Sequence, residues 1–243
     1  MRIAGCVSGG GSTLESIWLA IQSGELRGVE FGCAFLSRRQ IGAYERLLNA
    51  GVPEDRLVVL RSKDFDTSRQ LGSAMLDRCE DFGIQFIGLY GWLLMVPENV
   101  INRYSQMMVN QHPGPLDPGR RGFGGHGMFG MRVHMSVIEF ARRIDRPFYT
   151  EATAQRVHPD EYDRGEVVGR LPLLVKPHHT HDTLASELLP LEHQLQKQVL
   201  QQFADGTVKP AIRQEALILP GEEEIFDRTI QDVYNQLSND GHP

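Results

Sequence analysis

Several things are scarce in this sequence. It holds only three cysteines, Cys6, Cys33 and Cys79, in 243 residues, and no CxxC pair. So sparse and odd a set argues against a disulfide framework and fits reduced thiols buried as small hydrophobes. No apolar run approaches membrane-spanning length, and the N-terminus enters a strand-like stretch without a basic and then apolar leader. A cytoplasmic protein with no membrane partner is the expectation. Positive charge is in deficit, with 25 Lys and Arg against 31 Asp and Glu and a formal charge of -6. That argues against a nucleic-acid partner, though not against a local basic pocket. There is no internal repeat, and the glycine loop Ser8 to Thr13 is neither GxGxxG nor GxxxxGK[ST]. The missing P-loop lysine speaks against a nucleoside triphosphate.

What is present is an alternation of short apolar runs with amphipathic stretches. Ile3 to Val7, Val29 to Leu36, Arg56 to Leu60, Ile84 to Leu89 and Met107 to Asn110 have the composition of buried strands. Residues 14–20, Ile41 to Ala50, Thr67 to Asp81 and Pro97 to Tyr104 carry helical spacing between them. This order predicts an α/β fold, a parallel sheet with helices on both faces and right-handed crossovers. Phe148 to Gln155 and Val167 to Val175 add two strands whose short connection predicts antiparallel pairing, so the sheet is mixed but mostly parallel. Helices follow over Met131 to Arg143 and from Asp182 to about Phe203. Residues 1–210 form the expected domain. The tail, 211–243, has the polarity of a surface appendage. Ile225, Ile230, Val233 and Leu237 within it could form a helix docked on the domain or on a second subunit, which leaves a homodimer open.

The focal stretch is Met107 to Gly114, where an apolar run gives way to Asn110-Gln111-His112-Pro113-Gly114. A buried strand that ends in polar groups marks the ligand crevice of an open α/β sheet. If the extended backbone continues, Asn110 and His112 face the same way. One supplies a fixed donor and the other can move a proton, a pair suited to attack on a carbonyl. A plain turn is the competing reading. Ser8-Gly9-Gly10-Gly11-Ser12-Thr13 forms a glycine loop before a helix, with Ser12 or Thr13 as the expected N-cap. The first turn offers unpaired N–H groups to a phosphate or carboxylate. The apolar loop Tyr90-Gly91-Trp92-Leu93-Leu94-Met95-Val96-Pro97 either packs on its own protein or lines a flat aromatic pocket.

Other polar groups are less decided. Residues 113–130 are rich in glycine and proline, with Phe123, His126, Met128 and Phe129 interspersed, which suits a loop over a substrate. Arg120 and Arg121 suit an anion or the surface equally, and His134 suits a ligand or a helix face. An acidic residue in the His158 to Gly165 connection could orient a histidine or face water. His178, His179 and His181 raise the question of a metal, but adjacent histidines rarely share a ligand direction, and no metal is expected. Glu192 and His193, mid-helix, have solvent exposure as their plain reading.

Taken in order and spacing, Ser8 to Ser12, Gly91 with its apolar loop, Asn110-Gln111-His112-Pro113, Asp163-Arg164-Gly165 and Glu192-His193 resemble the formyltetrahydrofolate-dependent formyltransferases over residues 1 to 210. The likeness is greatest to the purine-synthesis branch, which formylates glycinamide ribonucleotide. The resemblance implies a Rossmann-like three-layer fold and N10-formyltetrahydrofolate as co-substrate, with no metal. It implies small-molecule partners, a folate and an amine that carries a phosphate. By the same resemblance Asn110, His112 and Asp163 are catalytic. Gly91, Trp92, Leu93, Leu94, Met95, Val96 and Tyr162, with segment 159–165, wall the pteridine pocket. Gly10, Gly11, Ser12, Thr13 and Glu192 meet the phosphorylated substrate.

The chain also departs from that pattern. Thr13 replaces a usual asparagine, and the 92–94 stretch lacks a usual basic residue. The segment after His112 is longer and glycine-rich, with His126 and His134 as candidate acceptor-loop residues. That region meets the amine, so a different, sugar-linked amine is an alternative acceptor. Hydrolysis of the formyl donor is another. Its usual N-terminal regulatory domain has no counterpart before a strand that starts at residue 2. A non-catalytic folate- or phosphosugar-binding protein is a further alternative.

Overall fold

The computed structural model describes residues 1–158 and 161–239, so Pro159 and Asp160, part of the expected pteridine wall, lie outside the described residues. In chain order the elements are β1 (Arg2–Val7), α1 (Ser12–Gln22), β2 (Glu30–Leu36), α2 (Gly42–Asn49), β3 (Leu57–Val59), α3 (Ser68–Asp81) and β4 (Phe86–Leu89). They continue with α4 (Glu98–Tyr104), β5 (Met108–His112), α5 (Met131–Arg143), β6 (Tyr149–Arg156), β7 (Val167–Leu174), α6 (His181–Ala204) and α7 (Glu223–Asn239). The strands form one sheet in the order β3-β2-β1-β4-β5-β6-β7. β1 to β5 run parallel, and β6 and β7 pair antiparallel at one side. The expected three-layer α/β fold with a mixed, mostly parallel sheet is the one observed.

Side-chain alternation along β1 explains the layers. Ile3 and Val7 face a core built with Leu14 and Ile17 of α1, Leu47 of α2 and Leu195 and Val199 of α6. Ala4 and Cys6 face the other way, into a core with Leu71 and Met75 of α3 and Val100 of α4. A strand covered on both faces is apolar at every position, which is why β1 is a continuous hydrophobic run. Cys6, Cys33 and Cys79 share that second core, and burial pushes their thiols up, Cys79 to about 11. They are inert packing groups.

Several boundaries correct the sequence reading. The α1 N-cap is Gly11, at φ 74, rather than Ser12 or Thr13, and no side chain caps the helix. A Cβ at Gly11 would approach the Ala43 Cβ to 2.6 Å, so the loop packs against α2 through a bare backbone. Strand β5 runs on through His112 instead of stopping at Asn110. The extra residues are held by β6, where Asn110 pairs with Gln155 and His112 with Thr153. The tail is more than a polar appendage. Leu217, Ile218 and Phe226 join a third core with Phe123, Phe140 and Phe148, and α7 packs along α5. Among the described residues no helix is long and apolar enough to cross a membrane.

β1 has β2 on one side and β4 on the other, so the crossovers out of β1 and out of β4 run in opposite directions along the sheet. The crevice at such a switch point, beyond the strand C-termini, is where open α/β sheets bind ligands. The glycine loop follows β1, the apolar loop follows β4, and β5 delivers Asn110 and His112 beside them.

Candidate active site

Asn110 and His112, two apart on an extended strand, face one side and meet a common partner. His112 Nδ1 lies 3.6 Å from Asp163 Oδ2, and Asn110 Nδ2 lies 3.5 Å from Asp163 Oδ1. Asp163 sits in the β6–β7 connection at φ 54, the one non-glycine residue with positive φ among the described residues. Aspartate tolerates this left-handed geometry better than most side chains. Its carboxylate is held firmly: Gln155 Nε2 donates to Oδ1 at 2.6 Å and the Gly125 amide to Oδ2 at 2.9 Å. Gln155 faces Asn110 across the antiparallel pair, which puts both side chains on one face of the sheet.

His112 is buried, and its Nε2 donates to the Phe123 carbonyl at 2.6 Å. That bond assigns the proton to Nε2 and leaves Nδ1 turned toward Asp163. The Phe123 carbonyl is fixed because its ring is wholly buried, edge-on to Phe140, Phe148 and Phe226. Burying an aromatic ring in the glycine-rich loop therefore orients an imidazole in the site. The 3.6 Å separation from Asp163 is longer than a direct hydrogen bond, and a small shift brings the pair to proton-sharing distance.

Two adjoining spaces open on this trio. The smaller is an apolar slot of about 140 Å³ lined by Leu89, Trp92, Leu94, Met95, Val96 and Ile101, with Tyr162 at its edge. Trp92 Nε1 and Gln155 Oε1 are buried there without a partner. An apolar slot with unpaired polar atoms suits a flat ligand with ring heteroatoms. The larger cavity, about 1120 Å³, is lined by Gly91 to Met95, the 125–130 segment, Arg132, His134, Glu192 and Tyr234. Asn110 and Asp163 line both spaces.

The structure thus brings together Asn110, His112, Asp163, Gly91, Trp92, Leu93, Leu94, Met95, Val96, Tyr162, His126, His134 and Glu192. Gly10, Gly11, Ser12 and Thr13 do not line either space. Their loop is pinned from behind: Arg46 Nε donates to the Gly10 carbonyl at 2.7 Å, and Ser12 Oγ is 3.2 Å from His193 Nε2. The loop touches the site indirectly, since the Leu93 amide donates to Ser8 Oγ at 3.1 Å.

Glu192 corrects the reading of an exposed mid-helix glutamate. It is buried, and burial pushes its carboxyl up to about 7 against a lowering hydrogen bond from Gln111. His134 is also buried, on the inward face of α5 rather than its exposed one. Burial, then the neighbouring His112 and His181, lower it to about 4, so it is neutral near pH 7. Its Nδ1 has no partner. Arg120 and Arg121 are ion-paired with Asp117 and Asp227. His179 is buried, with its ring nitrogens on the Lys176 amide and Glu187, and it meets His178 only ring edge to face. Among the described residues no three metal-ligating side chains converge.

Three contributors went unseen in the sequence. Gln155 was hidden in an ordinary strand, although its register opposite Asn110 follows once antiparallel pairing is granted. The Phe123 carbonyl and the Gly125 amide are backbone groups with no residue-type signature.

A sheet switch point that brings a carboxamide and an imidazole at one strand end against a carboxylate has the groups that carbonyl chemistry uses, an oxyanion donor and a proton carrier. The sequence model of the family described as Formyl transferase matches residues 1–200, and the chain belongs to that family. It is 29% identical over 210 residues to the chloroplastic phosphoribosylglycinamide formyltransferase of Vigna unguiculata, covering 85% of this chain and 62% of that one. The Escherichia coli phosphoribosylglycinamide formyltransferase is 21% identical, with 86% and 90% covered. The chain thus spans less than two thirds of the length of the Vigna relative. In structure it resembles glycinamide ribonucleotide transformylase 1 of Symbiobacterium toebii, with a TM-score of 0.73 at 20% identity over 85% of this chain and 88% of that one. The Brucella melitensis phosphoribosylglycinamide formyltransferase gives 0.70 at 24%, over 86% and 98%. Likeness at that identity carries the fold.

Proposed function

We propose that the protein transfers the formyl group of N10-formyltetrahydrofolate to an amine, with glycinamide ribonucleotide as the first candidate acceptor. The observation that carries this reading is that Asn110 and Asp163 line both the apolar slot and the larger cavity. A formyl carbon held between donor and acceptor belongs at such a junction. The slot suits a pteridine, and the larger cavity has room for a nucleotide-sized amine. The names of the relatives support the same acceptor.

The chemistry follows from the residues. The amine nitrogen attacks the formyl carbon, and negative charge grows on the formyl oxygen. Asn110 has two amide N–H groups, one near Asp163 and one able to meet that oxygen. Such a donor contributes about 3 kcal/mol to transition-state stabilisation. The nitrogen loses a proton as it bonds. His112 Nδ1 and Asp163, directly or through a water in the adjoining cavity, pass that proton to the departing folate nitrogen. Burial of His112, and occupation of the two spaces by donor and acceptor, limit attack by water, the competing acceptor.

A second reading keeps the donor and changes the amine. The 125–130 segment and Tyr234, which line the acceptor side, belong to the stretches that depart from the purine-enzyme pattern. One assay separates the readings: formyl release from N10-formyltetrahydrofolate with glycinamide ribonucleotide, with other sugar-linked amines, and with no acceptor. Turnover that needs the ribonucleotide supports the first. Turnover with another amine supports the second, and equal rates without acceptor point to hydrolysis.

A further inference from the structure

Helix α7 lies beyond the residues that match the family. Its buried residues, Phe226, Thr229, Val233 and Leu237, account for its docking. Tyr234, half-buried against the same core, also lines the large cavity. The Tyr234 hydroxyl donates to the His126 carbonyl at 3.1 Å. The Arg132 guanidinium sits 4.3 Å from the centre of its ring. A Cβ added at Gly127 would come within 2.1 Å of the Tyr234 hydroxyl, so loop and helix are in close contact. On the far side His126 meets the Tyr162 ring edge-on at 5.6 Å, and Tyr162 donates its hydroxyl to Met95 Sδ. The line Tyr234–His126–Tyr162–Met95 therefore joins four segments of the cavity wall. His126, Tyr162 and Met95 are exposed, whereas Tyr234 belongs to a helix seated in a core.

We propose that α7 is part of the acceptor site and that Tyr234 is its positioning and specificity-determining residue, holding the 126–130 segment as a fixed wall on the amine side of the trio. The inference rests on the formyl-transfer reading. The physical need is plain. Gly125, Gly127 and Gly130 all have positive φ, and so glycine-rich a segment loses much backbone entropy when held in one shape. The neighbouring Arg121–Asp227 and Arg143–Asp232 ion pairs are substantially exposed and contribute little. The acceptor this wall selects is an amine on a body long enough to reach from His112 toward Tyr234, such as a glycosylated amine. A bare small amine does not sense it.

The test uses the full chain with Tyr234→Ala and Tyr234→Phe, and with glycinamide ribonucleotide and free glycinamide as acceptors. Tyr234→Ala is expected to raise KM for the ribonucleotide about tenfold, with kcat changed less than about threefold. Affinity for a non-reactive folate analogue, read by protein fluorescence, and KM for glycinamide stay unchanged. Tyr234→Phe, which keeps the ring and loses the hydrogen bond to His126, falls between. If the wild type releases formyl groups but ignores both acceptors, acceptor-free release carries the test, and Tyr234→Ala is expected to raise it about fivefold as water enters. Unchanged ribonucleotide KM and unchanged acceptor-free release overturn the inference. So does a loss of folate affinity in step with the loss of acceptor affinity. A wild type that neither binds the folate analogue nor releases formate overturns the formyl-transfer reading itself, a result distinguishable by the folate arm alone.

Discussion

Gln155 holds Asp163: the amide nitrogen of one donates to the carboxylate of the other at 2.6 Å, from a strand position directly opposite Asn110. The trio is in effect a quartet, in which a neutral carboxamide fixes the carboxylate that faces His112. Gln155→Leu removes this donor while keeping an apolar body of similar size. Formyl transfer is expected to fall by about 10- to 100-fold in kcat, because a small displacement of a reacting group is costly. Steady-state kinetics beside a thermal melt check this. A large loss of stability with kcat intact would make Gln155 merely structural.

A second prediction concerns close packing behind the carboxylate. A Cβ at Gly124 would lie 2.4 Å from Leu116 Cδ2 and 2.8 Å from the Asp163 Cβ. Gly124→Ala must therefore push Asp163 off its donors. Overpacking of this kind costs about 1–3 kcal/mol, and activity is expected to fall further than stability accounts for. Measuring kcat well below the melting temperature separates the two effects. Full activity would mean that Asp163 can move without consequence.

The buried Glu192 gives a pH signature. Its folded carboxyl is pushed up to about 7 from 4.5, so between those values the folded chain holds a proton the unfolded chain has released. The associated stability is present at low pH and is lost as pH rises through about 7. The full shift corresponds to about 3 kcal/mol. Glu192→Gln is expected to raise the denaturation midpoint at pH 8 and to leave it nearly unchanged at pH 4.5. Equal effects at both pH values would mean that the carboxyl is not held neutral.

How much of this the sequence carried can be judged residue by residue. The layer architecture was legible because β1 and β4 are buried on both faces, which makes them short apolar runs between amphipathic stretches. Asn110 and His112 could be paired from spacing alone, since extended backbone alternates faces. Asp163 needed the family resemblance, because nothing local to an acidic turn says which carboxylate turns inward. Glu192 and His134 looked like helix-surface groups because burial by other elements leaves no mark on a residue's own helix. The glycine loop was read as a ligand seat. Gly11 also serves the approach of α1 to α2, a packing role that the sequence does not separate from a ligand seat.

The central claim is that Asn110, His112 and Asp163 act together on a formyl group. Asparagine at position 163 tolerates the left-handed backbone there, so Asp163→Asn keeps the fold and removes the charge that faces His112. The decisive measurement is formyl release from N10-formyltetrahydrofolate by wild type and Asp163→Asn, with and without glycinamide ribonucleotide, alongside binding of a folate analogue. The account predicts turnover by the wild type, a fall of about 10³-fold or more in the variant, as expected for losing one member of a proton relay, and equal folate-analogue binding by both. Equal turnover by both proteins, or none by a wild type that binds folate, would contradict it.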